Sequence, residues 1–175
     1  MSRLSVRDLQ VYLKQRTHEE LAKDIVTLFR RFDAVKDYYQ LQLDETSVKA
    51  ITDRYKAVIR QEFFPERGFG KARLSVARRA ITDCMKLVTS QHDIADLVLY
   101  YVEMGVEFTG AYGDIDEPFY NSMESMYERA AKFISQHNMQ NQFAARCWKI
   151  LRDTSGMGWG FHDRLSAIYD EYFEA

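Results

Sequence analysis

An all-α fold is what this sequence predicts, and three observations predict it. Apolar residues recur three and four places apart along nearly the whole chain, which puts them on one face of a helix. No segment shows the period-two alternation of a half-buried strand. The 175 residues include only 8 Gly and 2 Pro, few for the many turns of a β-protein.

The elements follow in order. Ser5, with Asp8 three residues on, is a capping-box signal. It opens a short helix with Val6, Leu9 and Leu13 on one face. Thr17 and Glu20 repeat the signal and open the clearest helix, where Leu21, Ile25, Leu28, Phe32, Val35 and Tyr39 alternate four and three apart. That stripe covers fewer than three heptads, so it predicts a core-facing bundle helix rather than a coiled coil. A third helix carries Val48, Ile51, Tyr55, Val58 or Ile59, and Phe63, and Pro65 ends it. Ser75 starts a fourth, with Ala77, Ala80, Ile81, Cys84 and Leu87 inward. A fifth runs from about His92 with Ile94, Leu97, Val98, Tyr101 and Phe108. Pro118 stands at the start of the sixth, where its missing N–H does no harm, and Met123, Met126, Tyr127, Ala130 and Phe133 make its stripe. The seventh holds Phe143, Cys147, Ile150 and Leu151, the eighth Phe161, Leu165, Ile168 and Tyr172.

Most links between these helices are short, and short links force antiparallel neighbours. The expected architecture is about eight helices as consecutive antiparallel hairpins in a single domain, 1–175. An irregular α-α superhelix is the first choice and a closed helical bundle the alternative. Residues 94–134 have the length of a tetratricopeptide hairpin without that repeat's full pattern.

Composition narrows the class. An apolar fraction of 46% and a charged fraction of 29% belong to a globular chain able to bury a core. Two cysteines, Cys84 and Cys147, exclude a disulfide framework and a four-cysteine zinc site; both lie on apolar stripes and read as core. No apolar run approaches a membrane span, and Arg3, Arg7 and Asp8 stand where a secretory signal would need an apolar core. A cytoplasmic protein with reduced thiols and no membrane partner is expected.

Charge is unevenly spread. Residues 1–88 hold 18 Lys and Arg against 12 Asp and Glu, a net of +6; residues 89–175 hold 6 against 14, a net of −8. No Lys or Arg occurs from Thr89 to Glu128, a stretch with nine acids. The halves are expected to neutralise each other across an internal face or a dimer interface, and the sharper alternative is an acidic groove beside an anion-binding patch. Nucleic acid is disfavoured as a partner, because the basic excess is modest and its acidic neighbour repels phosphates.

Seven of the eight glycines fall in three loops that also carry aromatics: 67–71, 109–114 and 155–161. Each joins an odd helix to the next even one, so an up-down array brings all three to one edge. The rim so formed would gather Arg67, Lys71, Arg73, Glu107, Tyr112, Tyr120, Trp159 and Asp163. The bland reading of each loop is a glycine helix cap with its aromatic tucked beneath.

Three chemistries are open at that rim. Asp114, Asp116 and Glu117 could offer oxygens to a divalent cation, although their spacing is not that of an EF-hand and acids before Pro118 also suit a helix N-terminus. His162 is the one candidate base; Asp163 beside it cannot face it on a helix and reads as a cap of the eighth helix. Arg67, Lys71 and Arg73 could hold an anion, but neither a phosphate-binding P-loop nor a dinucleotide fingerprint is present. On the fifth helix, Tyr100, Glu103 and Glu107 share a polar face that could line a groove.

Three segments carry a family resemblance: Leu99-Tyr-Tyr-Val-Glu-Met-Gly-Val-Glu-Phe-Thr109, Tyr112-Gly-Asp-Ile-Asp-Glu-Pro-Phe-Tyr-Asn-Ser-Met-Glu-Ser-Met-Tyr127 and Asp153-Thr-Ser-Gly-Met-Gly-Trp-Gly-Phe-His-Asp163. With the Leu4-Ser-Val-Arg-Asp-Leu9 opening and Phe63-Phe-Pro65, the chain resembles a bacterial family filed only as a domain of unknown function. The resemblance implies a small single-domain bacterial protein, and it assigns no activity, cofactor or site residue.

The expected function is a non-enzymatic interaction or scaffold module that binds a protein segment or another copy of itself and needs no cofactor. The alternatives are a hydrolase using a divalent cation at Asp114, Asp116, Glu117 or Glu107 with His162 as base, and a small anion- or nucleotide-binding protein.

Overall fold

The structure, a computed structural model, describes residues 4–174. Among the described residues there are nine α-helices, one 3-10 turn and no strand, so the protein is all-α. The chain forms two compact units that divide after residue 45.

The first unit contains α1 (Val6–Lys14), α2 (His18–Arg31) and α3 (Asp33–Leu43). Both expected capping boxes are present, with Asp8 N–H donating to Ser5 Oγ and Glu20 N–H to Thr17 Oγ1. The expected continuous helix through Tyr39 is two helices, because Phe32 is extended at φ −128° and ψ 120°. Asp33 explains where the second begins. A carboxylate favours the positive end of a helix, and Lys36 Nζ, 2.7 Å from Asp33, locks it in the first turn. The amide of Phe32 closes α2 on Leu28 O, and its carbonyl starts α3 by accepting from Lys36 N–H.

A second correction concerns what these helices face. The expected stripe exists, but no residue of α1 or α2 is buried. Leu28 is 45% exposed and Phe32 53%.

The second unit holds α4 (Val48–Phe63), α5 (Leu74–Met85), α6 (Gln91–Tyr112), α7 (Glu117–Gln136), α8 (Gln140–Asp153) and α9 (Phe161–Phe173). Its substantial helix packings all join helices one or two places apart in sequence: α6 lies on α4, α5, α7 and α8, and α7 on α8 and α9. The centre is α6, with Leu97, Val98, Leu99, Tyr101, Val102, Met104 and Phe108 buried over most of its circumference. So wide an apolar face needs several neighbouring helices to cover it. Gly105 lets α7 approach it: a Cβ there would lie 2.2 Å from Met123 Sδ. Phe63 at the end of α4 packs edge-on against Tyr101, Phe108 and Phe119. Tyr127 donates its hydroxyl to Cys147 O at 3.1 Å. Cys84 and Cys147 are buried and unbridged.

Polar pairing explains part of the charge asymmetry. Lys56 of α4 and Arg146 of α8 converge on Asp96 of α6, and Arg146 forks onto Glu103 at 2.6 and 2.7 Å. Burial opposes the charge on Asp96, but the bonds from Lys56 and Arg146 outweigh it and hold its carboxyl below the usual range. The polar face expected on this helix is thus largely used inside the fold. Tyr100 lies beneath Lys56, 5.3 Å from its ring centre, and Glu103 holds Arg146, which leaves Glu107 exposed.

Candidate functional site

The three glycine-aromatic loops are the α4–α5, α6–α7 and α8–α9 connections. Splitting the second helix shifts all three by one number, so their shared parity survives. They touch. Phe69 in the first loop meets Tyr112 at the end of α6 edge-on, ring centres 6.1 Å apart. Phe64 stacks on the same Tyr112 at 6.3 Å. Asp114 in the second loop reaches the third, accepting from Gly158 N–H at 3.3 Å.

Asp114 is the hub of the second contact. The same carboxylate accepts the Tyr120 hydroxyl at 2.8 Å. Tyr120 is only 1% exposed, so it supports the rim from beneath. Burial pushes its hydroxyl pKa up, and the carboxylate beside it pushes the same way. A Cβ at Gly158 would sit 2.7 Å from Asp114 Oδ2, so a larger residue there would push that carboxylate aside. Trp159 next to it is 59% exposed at φ 64°, a left-handed conformation uncommon for a bulky residue.

The acids divide by role. Asp116 caps α7 by accepting from Phe119 N–H at 2.9 Å, and Glu117 is exposed in its first turn. Among the described residues no three His, Cys, Asp or Glu side chains are grouped to hold a metal ion. Asp163 does not cap α9; Gly160 does, at φ 70°, and Asp163 lies exposed in the first turn. A left-handed Gly160 turns the chain sharply enough that the helix starts before Asp163.

His162 is held from behind. Thr154, fully buried, donates its hydroxyl to Leu151 O at 2.6 Å. His162 Nδ1 lies 2.9 Å from that hydroxyl oxygen and 3.2 Å from Leu151 O. Nδ1 therefore faces the protein interior and Nε2 is the nitrogen turned away from these two oxygens. No carboxylate is bonded to this histidine among the described residues, and the one hydroxyl it meets, that of Thr154, is fully buried.

The first loop makes a basic cleft. Gln61, Pro65, Arg67, Phe69, Lys71 and Arg73 line a cavity of about 240 Å³, with Glu62 at its floor. Glu62, 4% exposed, takes a two-pronged bond from Arg73, Nε to Oε2 at 2.8 Å and Nη2 to Oε1 at 2.7 Å. The guanidinium holds the Glu62 carboxyl below its ordinary range, against the opposing effect of burial. The loop is pinned to α4 by Ala72 N–H donating to Glu62 O at 2.8 Å. Gly70 lies so close to the end of α4 that a Cβ would be 1.9 Å from Phe63 O. These anchors also start α5 at Leu74, with Arg73 as its N-cap, one residue before the expected Ser75.

Sequence reasoning missed Glu62 and Thr154. Glu62 sits one residue before Phe63 on the buried side of α4, and an acid at a core position signals a buried partner. Thr154 carries no such signal.

Residues 4–174 match a family described as "Family of unknown function (DUF6155)". No curated protein and no solved structure matches the chain.

Proposed function

Since the chain belongs to that family of unknown function, whose description supplies no activity, we propose a role from its own surface: a self-associating helical interaction module that pairs through its N-terminal unit. The observation that carries this reading is the uncovered apolar face of α1 and α2. Val6, Leu9, Tyr12 and Leu13 of α1, with Ile25, Leu28, Phe29 and Phe32 in and after α2, are all exposed. An apolar groove of about 560 Å³ runs along Leu4, Val6, Leu9 and Tyr12. Exposed apolar side chains gathered along a helix face, rather than scattered singly, mark an interaction surface.

Charge favours a second copy as the occupant. Residues 1–45 hold eight Lys and Arg and eight Asp and Glu, a net of zero. Helices that lie on anionic membranes carry an excess of Lys and Arg on the polar face. Here the polar charges pair within the unit, Lys23 with Glu19 and Arg16 with Glu20 and Asp24. Two such faces meet without like-charge repulsion, and a two-fold pairing uses the same patch twice.

Sedimentation of the full chain tests this. The 20.6 kDa protein is expected at twice its monomer mass in the micromolar range. Leu28→Glu with Phe32→Glu is expected to give a monomer whose second unit stays folded by circular dichroism. A wild-type monomer at every concentration overturns self-association, as does a dimer indifferent to those substitutions.

A further inference from the structure

The basic cleft at the first loop supports a reading independent of the N-terminal unit. Its floor is built before any ligand arrives. Glu62 is buried and spends both carboxylate oxygens on Arg73. That bond cancels one positive charge and fixes the guanidinium plane, because the fork geometry admits little rotation. It engages Nε and Nη2, so the Nη1 donors of Arg73, a residue lining the cavity, have no protein acceptor among the described residues.

Two further cations line the same space. Arg67 and Lys71 are exposed, and no ion pair or hydrogen bond engages either among the described residues. With Glu62 offset by Arg73, the cleft keeps two uncompensated positive charges. Just past Lys71 the backbone is held in a costly shape, with Ala72 at φ 44°, and Gly70 is packed against the end of α4. Strained backbone that persists because its surroundings fix it collects at ligand clamps, and a loop already ordered loses little freedom on binding.

Size and charge select the ligand. About 240 Å³ is smaller than the cavities that enclose drug-sized molecules, but it admits one oxyanion group and a short stem. Two spare cations match the −1.5 to −2 charge of a phosphate group near neutral pH. At the mouth, the Phe69 ring is 82% exposed and rests edge-on against Tyr112, placing an aromatic face beside whatever the anion is attached to.

We infer that the Arg67–Arg73 loop is a phosphate-binding cleft, with Arg67 and Lys71 as the charge-bearing contacts and Arg73 held in position by Glu62. The dianion is free phosphate or the head of a small phosphomonoester.

Isothermal titration of the full chain with inorganic phosphate and with phenyl phosphate, at matched ionic strength in chloride, tests the inference. Saturable binding to at least one probe is expected. Arg67→Ser and Lys71→Ser, both at exposed positions, are each expected to weaken it about tenfold, the effect of losing one charge-assisted hydrogen bond. Tighter binding of phenyl phosphate, reduced by Phe69→Ser, assigns the cleft to a monoester; equal binding assigns it to free phosphate. No saturable binding of either probe overturns the inference. So does binding that survives both substitutions in variants with unchanged circular dichroism.

Discussion

Gly70 and Gly110 look alike in the sequence, each beside an aromatic-rich loop, yet their surroundings make them opposites. A methyl group on Gly70 meets the Phe63 carbonyl, whereas on Gly110, in the last turns of α6, it meets nothing within 4 Å. Gly70→Ala is expected to cost roughly 1–3 kcal/mol or more, the range for forcing atoms into a packed site. Gly110→Ala is expected to add roughly 0.4–1 kcal/mol by restricting the unfolded chain. Urea denaturation of the two variants checks both signs. Asp96 gives a second residue-scale expectation. Its folded carboxyl is held below the ordinary value by Lys56 and Arg146, burial notwithstanding. The stabilisation it brings is therefore present above an unfolded value of about 3.9 and is lost as pH falls through the lower folded one. Asp96→Asn should cost about 1–3 kcal/mol at pH 7 and flatten the acid limb of stability below about pH 4. Sequence announced the glycines and the acids but not their neighbours. The Glu62–Arg73 fork joins residues eleven apart, and no periodicity connects them because a loop lies between.

Helix starts were the most legible elements, because a cap is local chemistry. Ser5, Thr17 and Asp116 each accept the amide three residues on. Asp116→Ala should cost about 1 kcal/mol, within the range for losing a side-chain cap, read as a lower thermal midpoint. The interruption at Phe32 was hidden by its own stripe: Leu28, Phe32 and Val35 keep helical spacing across a residue whose backbone is extended. Apolar spacing fixes which residues share a face and not what covers that face. The stripes of α2 and α5 read alike, yet Ala77, Ala80, Ile81 and Cys84 of α5 are buried while none of α2 is. Burial is decided by neighbours from other parts of the chain, and the tally of apolar residues in one helix does not contain them.

At the scale of the whole molecule, the all-α class followed from the pattern, whereas the contacts among the three loops, through Tyr112 and Asp114, are visible only in the structure. The two-unit partition did not follow from the pattern either, since no proline, glycine or charge run marks residue 45. The units should differ in how readily they open, because local stability tracks buried apolar contact. Hydrogen exchange is expected to show the amides of α6 most protected, with α1 and α2 exchanging fastest in dilute protein. Protection of α1 and α2 should rise with protein concentration if copies pair through them, since association stabilises the associated form by mass action. The Leu28→Glu, Phe32→Glu protein should show no such rise.

The two sheltered thiols turn the second unit into its own stopwatch. Cys84 on α5 and Cys147 on α8 are each almost fully enclosed, and burial pushes the Cys147 thiol up to about 12. Only the thiolate is nucleophilic, so an alkylating reagent added to the native protein has to wait for each helix to come loose. The two sulfurs sit on different helices that both pack on α6, α5 before it in the chain and α8 after. Their labelling rates, followed separately by peptide mass, would time the fraying of each flank in the unmodified chain. Equal rates would mean that the six helices open as one body, and unequal rates would identify the side from which the stack comes apart.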